Sequence, residues 1–214
     1  MTKLPKPLGR DFYARSPQRV ARELLGKVLV REDGGPELTA RIVEVEAYLG
    51  VNDPAAHSAA GLTARNAVLF GPPGYAYIYF IYGNHYCLNV SCEREDKAGG
   101  VLFRALEPLT GIEEMARARG VEVLRPADLR KLTSGPGRLC EAFGITRERY
   151  NGHDLTRRGS LWIGDDRSPS PRVALTPRIG ITKAADKNLR YLIAGNRFVS
   201  GPATFLRAQA DLRV

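Results

Sequence analysis

Glu46 has the most to offer chemically. Between Leu38 and Leu49 apolar and polar side chains alternate. This predicts a strand with Val43, Val45, Ala47 and Leu49 on one face and Ile42, Glu44, Glu46 and Tyr48 on the other. Two glutamates on one face most simply mark the solvated side of a half-buried strand. Tyr48 changes the weighing. Two residues along, it sets an aromatic plate beside the Glu46 carboxylate, and a carboxylate partly desolvated in this way suits proton abstraction. The strand then enters a long loop segment from Gly50 to Gly74, which would carry the pair to a rim. Arg104, between Phe103 and Ala105, needs an anionic partner there, either a carboxylate such as Glu46 or a phosphate.

Three further segments hold candidates. His57 lies in Asp53-Pro54-Ala55-Ala56-His57-Ser58, a loop in which a histidine is either simply solvated or part of a site. Residues 75–86 contain Tyr75, Tyr77, Tyr79, Phe80, Tyr82 and Tyr86 around Gly83-Asn84. Most rings of such a run belong to a core. Tyr82, flanking the tip, has nothing intramolecular to bury it and has the shape of a wedge for a base stack. Thr133-Ser134-Gly135-Pro136-Gly137-Arg138 is either a tight turn before a helix or a nest of N–H groups for a phosphate.

The elements that must position these groups follow from local signals. Ser16-Pro17 opens a helix that Gly26 ends, and Lys27 to Arg31 is a short strand. Tyr75–Ile81 and Tyr86–Cys92 form a hairpin, and Gly100–Leu106 is another strand. Thr110-Gly111-Ile112-Glu113 reads as a capping box for a helix ending at Gly120, and a further helix spans Pro136 to Phe143. Short strands are expected at 160–163, 173–182 and 190–193. With no repeat, low-complexity tract or linker, these make one α+β domain over residues 1–214, built on an antiparallel sheet.

Charge points toward a polyanion. The 214 residues carry 32 Lys+Arg against 23 Asp+Glu, a formal net charge of +9. Residues 1–110 are nearly neutral, whereas residues 111–214 hold 19 basic and 11 acidic side chains, and Arg outnumbers Lys 25 to 7. Guanidinium groups make bidentate phosphate contacts, so nucleic acid is the favoured partner, with an arginine-rich genome as the competing explanation. Cys87, Cys92 and Cys140 form no CxxC, and His57, His85 and His153 are far apart, so neither a disulfide framework nor a metal site is expected. No apolar run approaches the ~20 residues of a membrane span, and the first ten residues lack a secretory core, so a cytoplasmic protein is expected.

Together these segments resemble the alkyladenine type of 3-methyladenine DNA glycosylase, a family of monofunctional base-excision repair enzymes. The resemblance rests on Arg41-Ile42-Val43-Glu44-Val45-Glu46-Ala47-Tyr48-Leu49-Gly50, Ala55-Ala56-His57-Ser58, Thr63-Ala64-Arg65-Asn66, Ile81-Tyr82-Gly83 with Cys87-Leu88-Asn89, Leu102-Phe103-Arg104-Ala105-Leu106-Glu107-Pro108, Ser134-Gly135-Pro136 and Arg178-Ile179-Gly180, in that order. It implies a single α+β domain with a curved antiparallel sheet, flanking helices and a protruding hairpin. The implied substrate is double-stranded DNA containing damaged purines, acted on by a monomer without metal or organic cofactor. By the same resemblance Glu46 would deprotonate the attacking water, which Arg104 and the Ile179 carbonyl would help place. Tyr48, His57 and Tyr79 would enclose the extruded base, Asn89 would disfavour guanine, and Tyr82 would fill the gap left in the duplex. The absence of lysine from these motifs argues against a lyase step.

These roles constrain the hairpin. A two-residue turn at Gly83-Asn84 would set Tyr79 and Asn89 on opposite faces. A three-residue loop, Gly83 to His85, would pair 82 with 86 and 79 with 89, and this loop or an equivalent bulge is therefore expected. Two other readings stand beside the glycosylase: a non-catalytic binder of distorted duplex DNA, and an RNA- or tRNA-acting module with a similar sheet.

Overall fold

The computed structural model describes residues 5–81 and 83–201. Its elements in chain order are β1 (Lys6–Pro7), α1 (Arg10–Tyr13), α2 (Pro17–Leu24), β2 (Val28–Arg31), β3 (Leu38–Tyr48), β4 (Ala76–Ile81), β5 (His85–Ser91), β6 (Gly100–Thr110), α3 (Ile112–Arg119), α4 (Arg130–Thr133), α5 (Pro136–Ala142), α6 (Arg147–Tyr150), β7 (Leu161–Asp165), β8 (Val173–Thr176) and β9 (Arg190–Ile193). The strands form a curled antiparallel sheet in the order β1-β7-β2-β3-β6-β5-β4, with β9 joining β3 and β8 joining β9. With a few flanking helices, this is the expected α+β architecture. No helix among the described residues is long and apolar enough to cross a membrane.

Strand β3 organises the sheet. One edge pairs with β6 along its length, and the other pairs first with β2 over residues 38–41 and then with β9 over residues 44–46. Register shifts interrupt the β3–β6 ladder between Ile42 and Val45. Here the structure departs from simple alternation. Ile42 joins Val45 and Ala47 in the main core, whereas Val43 packs with Ala105 and Phe198 in a separate cluster. A bulge adds one residue and flips the faces on either side of it. The face carrying Glu44 and Glu46 is not solvated: both glutamates are fully buried.

The helices follow their end signals with one exception. The Ser16 side chain accepts from the Arg19 N–H, Pro17 takes the first helical position, and Val20, Ala21 and Leu24 are buried at helical spacing. Helix α3 ends at Gly120 (φ 58°) as expected. Its start is corrected: Gly111 is the N-cap with no side-chain cap, while Thr110 ends β6 and its hydroxyl pairs with that of Thr39. The strand expected over 173–182 stops at Thr176, where Pro177 withholds a ladder donor.

The hairpin register is also corrected. Tyr79 pairs with Cys87 and Tyr77 with Asn89, and the ladder closes at Ile81 with His85. The connection is therefore 82–84, with Gly83 (φ 74°) in its middle rather than at its start. The displacement from the expected register is two residues, an even number. Tyr79 and Asn89 still share a face, joined by Tyr77 and Cys87. Tyr82 lies outside the described residues.

Candidate active site

Glu46 sits in the middle of the sheet with both carboxylate oxygens engaged. Its Oε1 accepts the backbone N–H of Ile179 at 2.8 Å and lies 3.3 Å from an Arg104 guanidinium nitrogen. Its Oε2 accepts the Tyr48 hydroxyl at 3.0 Å. Burial pushes the Glu46 carboxyl above its ordinary value, and the Arg104 charge, the Ile179 N–H and the Tyr48 hydroxyl only partly offset this. Burial that disfavours the charged form makes the carboxylate a readier proton acceptor than a solvated one.

Arg104 finds its partners within the sheet. Besides Glu46, its Nε donates to Glu44 Oε1 at 3.1 Å. Glu44 is a hub: Oε1 also accepts Arg190 Nε at 2.6 Å and the Ser200 hydroxyl at 2.8 Å, while Oε2 accepts the Ser200 N–H at 2.5 Å. A buried carboxylate requires such compensation, and the result fixes Arg104 in one pose. The sequence alone assigns Glu44 no role; its partners from β6, β9 and Ser200 set it apart from Glu46.

Around this centre lies a cavity of about 660 Å3, lined by Tyr48, His57, Tyr77, Tyr79, Asn89 and Arg104 among others. The volume falls within the ~300–1,000 Å3 usual for small-molecule sites. His57 and Tyr79 meet edge to face with centroids 4.5 Å apart, and His57 Nδ1 lies 3.0 Å from the Tyr77 hydroxyl. Partial burial of the ring, with Arg65 nearby, holds His57 below its ordinary value and favours the neutral imidazole. The loop carrying it is fastened by Asn66, whose amide donates to the carbonyls of His57 and Gly61, both at 2.9 Å. The Asn89 amide donates to the carbonyls of Tyr77 (3.1 Å) and Cys87 (3.4 Å), which fixes its orientation.

The structure thus brings Glu46, Arg104, Tyr48, His57, Tyr79 and Asn89 to one place. Glu46 is set back: Tyr48 and Arg104, which touch it, line the cavity. Tyr77, which the sequence alone places among core aromatics, joins the group; its position two residues from Tyr79, on the same face of the strand, is the signal in the sequence. At the Gly-rich turn the Gly135 N–H donates to the Arg104 carbonyl at 2.9 Å, and residues 135–138 line the cavity. Among the described residues, no group of three or more His, Cys, Asp or Glu side chains stands ready to hold a metal ion.

A buried carboxylate and an arginine thus lie beside an aromatic recess. Sequence comparison gives this arrangement its family. The chain belongs to the methylpurine-DNA glycosylases, whose family model matches residues 11–197. It is 61% identical over 196 residues to a protein of Koribacter versatilis, covering 91% of this chain and 93% of that one. It is 49% identical over 199 residues to one of Rhodopseudomonas palustris strain HaA2 (93% and 92% covered), and 46% identical over 197 residues to one of Chlorobaculum parvum (91% of each). Each of these carries a name assigning it to the 3-methyladenine DNA glycosylases. The chain is accordingly a DNA glycosylase of the 3-methyladenine type, and DNA is its partner.

Proposed function

We propose that this protein flips alkylated or deaminated purines, of the 3-methyladenine, hypoxanthine and ethenoadenine kind, out of duplex DNA and releases them by hydrolysis. The product is an abasic site. The observation that carries this reading is the buried Glu46 carboxylate, held by Arg104, Ile179 and Tyr48 just behind the wall of an aromatic cavity.

The chemistry follows from these surroundings. A base inside a duplex is out of reach and must be extruded, at a cost of a few kcal/mol that is least for damaged pairs. Stacking between Tyr48, His57 and Tyr79 recovers part of that cost, and a cationic alkylated purine is further attracted by the tyrosine faces. Glu46 takes the proton of the attacking water, while its charge stabilises the oxocarbenium character that develops on the sugar. Arg104 keeps that carboxylate in place and helps to position the water. Asn89 crowds the position of a guanine 2-amino group, and Tyr82 fills the vacated stack. No lysine lines the cavity among the described residues, which supports a monofunctional reaction without a lyase step. We take the enzyme to act as a monomer in the cytoplasm, associated with the nucleoid if the cell is prokaryotic.

Single-turnover assays on a duplex with one hypoxanthine or ethenoadenine test this. Glu46→Gln is expected to bind such a duplex as wild type does while base release falls by ~10²–10⁴-fold. Wild-type rates in that variant would remove Glu46 from the mechanism. A wild-type protein that binds but releases nothing from any methylated or deaminated duplex would be a binder of distorted DNA.

A further inference from the structure

We propose that the buried ion pair Asp53–Arg178 is a positioning device for the reaction, clamping the Ile179 amide onto Glu46 and backing the Tyr48 ring. The proposal rests on the reading of Glu46 as the base. Arg178 and Asp53 side chains are both fully buried and meet through two parallel bonds, NH1 to Oδ2 at 2.5 Å and NH2 to Oδ1 at 2.9 Å. This is the bidentate fork that only arginine makes. Arg178 NH1 also donates to the Ala47 carbonyl at 3.1 Å, tying the 177–180 loop to β3 between Glu46 and Tyr48. The next residue supplies the 2.8 Å N–H to Glu46.

Arg178 does a second thing. Its guanidinium carbon lies 4.6 Å from the centroid of the Tyr48 ring, and Tyr48 lines the cavity. Asp53 in turn accepts the N–H groups of Leu49 (3.1 Å) and Ala55 (3.2 Å), so the same carboxylate orders the start of the loop that leads to His57. One ion pair therefore joins the stacking ring, the histidine loop and the donor to the base, although neither of its members lines the cavity. A pair needed only for stability has no reason to be placed where a break would misplace all three. Buried ion pairs are weak contributors to stability but demanding about geometry.

The test compares Arg178→Ala and Arg178→Lys with wild type and Glu46→Gln. It measures single-turnover base release across pH at saturating enzyme, together with duplex affinity. The groups facing Glu46 are Arg104 from β6, Tyr79 and Cys87 from the hairpin, Glu44 and Tyr48 on its own strand, Arg190 from β9, and Arg178 with Asp53 behind it. Of these, Arg178→Ala removes one and also frees the Ile179 donor. Losing a donor to a carboxylate raises its pKa, and the ionised form is the active one, so the acid limb should move to higher pH. We expect the rate at the plateau to fall by ~10–100-fold with affinity changed less than ~3-fold, as for positioning defects. Arg178→Lys keeps the charge and loses the fork, and should leave the limb shifted. Rate constants from single turnovers do not depend on the folded fraction, so partial unfolding cannot mimic the shift. If Lys restores both rate and limb, charge rather than the clamp matters and the proposal fails. It fails equally if Arg178→Ala keeps the wild-type profile while Glu46→Gln is dead. If wild type itself releases no base, the glycosylase reading falls and the clamp falls with it.

Discussion

Glu46 holds its proton more tightly in the folded chain than in an unfolded one, because burial raises its pKa. The folded state then binds more protons over the pH range between the two values, and stability declines as pH rises through that range. Glu46→Gln abolishes this slope and leaves Arg104 with its Glu44 bond. The variant should therefore melt at or above the wild-type temperature at neutral pH while being inactive, and a loss of several degrees in a thermal melt would contradict this. The wild-type acid limb of base release should likewise lie above the ordinary glutamate range. Tyr77→Phe removes the hydroxyl 3.0 Å from His57 Nδ1. A hydrogen bond of this kind is worth about 0.5–1.5 kcal/mol, so base release should fall by ~3–10-fold. An unchanged rate would show that His57 needs no such orientation. At this scale the sequence was informative where a single segment held the signal: Glu46 beside Tyr48, and an Arg104 that required a carboxylate. It was silent on Glu44 and Asp53, whose partners arrive from 60 to 156 positions away.

Elements were legible where end signals are local and ambiguous where register decides. Ser16, Pro17 and Gly120 marked helix ends because caps and left-handed residues act within a few positions. The β3 bulge and the hairpin closure were not legible, because both depend on which strand edge a segment meets. The hairpin also explains Gly137. A Cβ there would lie 2.9 Å from Cγ of His85, the residue that closes the ladder. In an ordinary helix Gly→Ala gains about 0.5–1 kcal/mol. Here overpacking should win, with a net loss of about 1–2 kcal/mol in urea unfolding. Adding His85→Ala should recover most of that loss. A Gly137→Ala variant at least as stable as wild type would mean that α5 and the hairpin are not in register-fixing contact.

For the whole molecule, the basic excess of residues 111–214 is more divided than composition implied. Arg149, Arg178 and Arg190 are paired with Asp33, Asp53 and Glu44 from the first half of the chain, and Arg119 and Arg157 with Glu141 and Asp154. Several arginines therefore build the fold, and fewer remain to grip phosphates. Arg138, at the cavity, makes only a 3.4 Å contact with the Ser134 carbonyl among the described residues. Arg138→Gln should weaken duplex binding and reduce the salt slope by about one, with the single-turnover rate at saturating enzyme falling less than affinity. An unchanged slope would assign the charge to composition. The cradle of Glu44 has one more consequence, for the order of assembly. Its partners lie 60, 146 and 156 residues further along the chain. Contacts of that span form late in folding, and a chain grows from its N-terminus. A nascent chain that already displays Glu46, Tyr48 and the aromatic hairpin still lacks Arg190 and Ser200. The buried cradle of Glu44, and with it the fixed pose of Arg104, is thus complete only once residues 190–200 have joined the sheet.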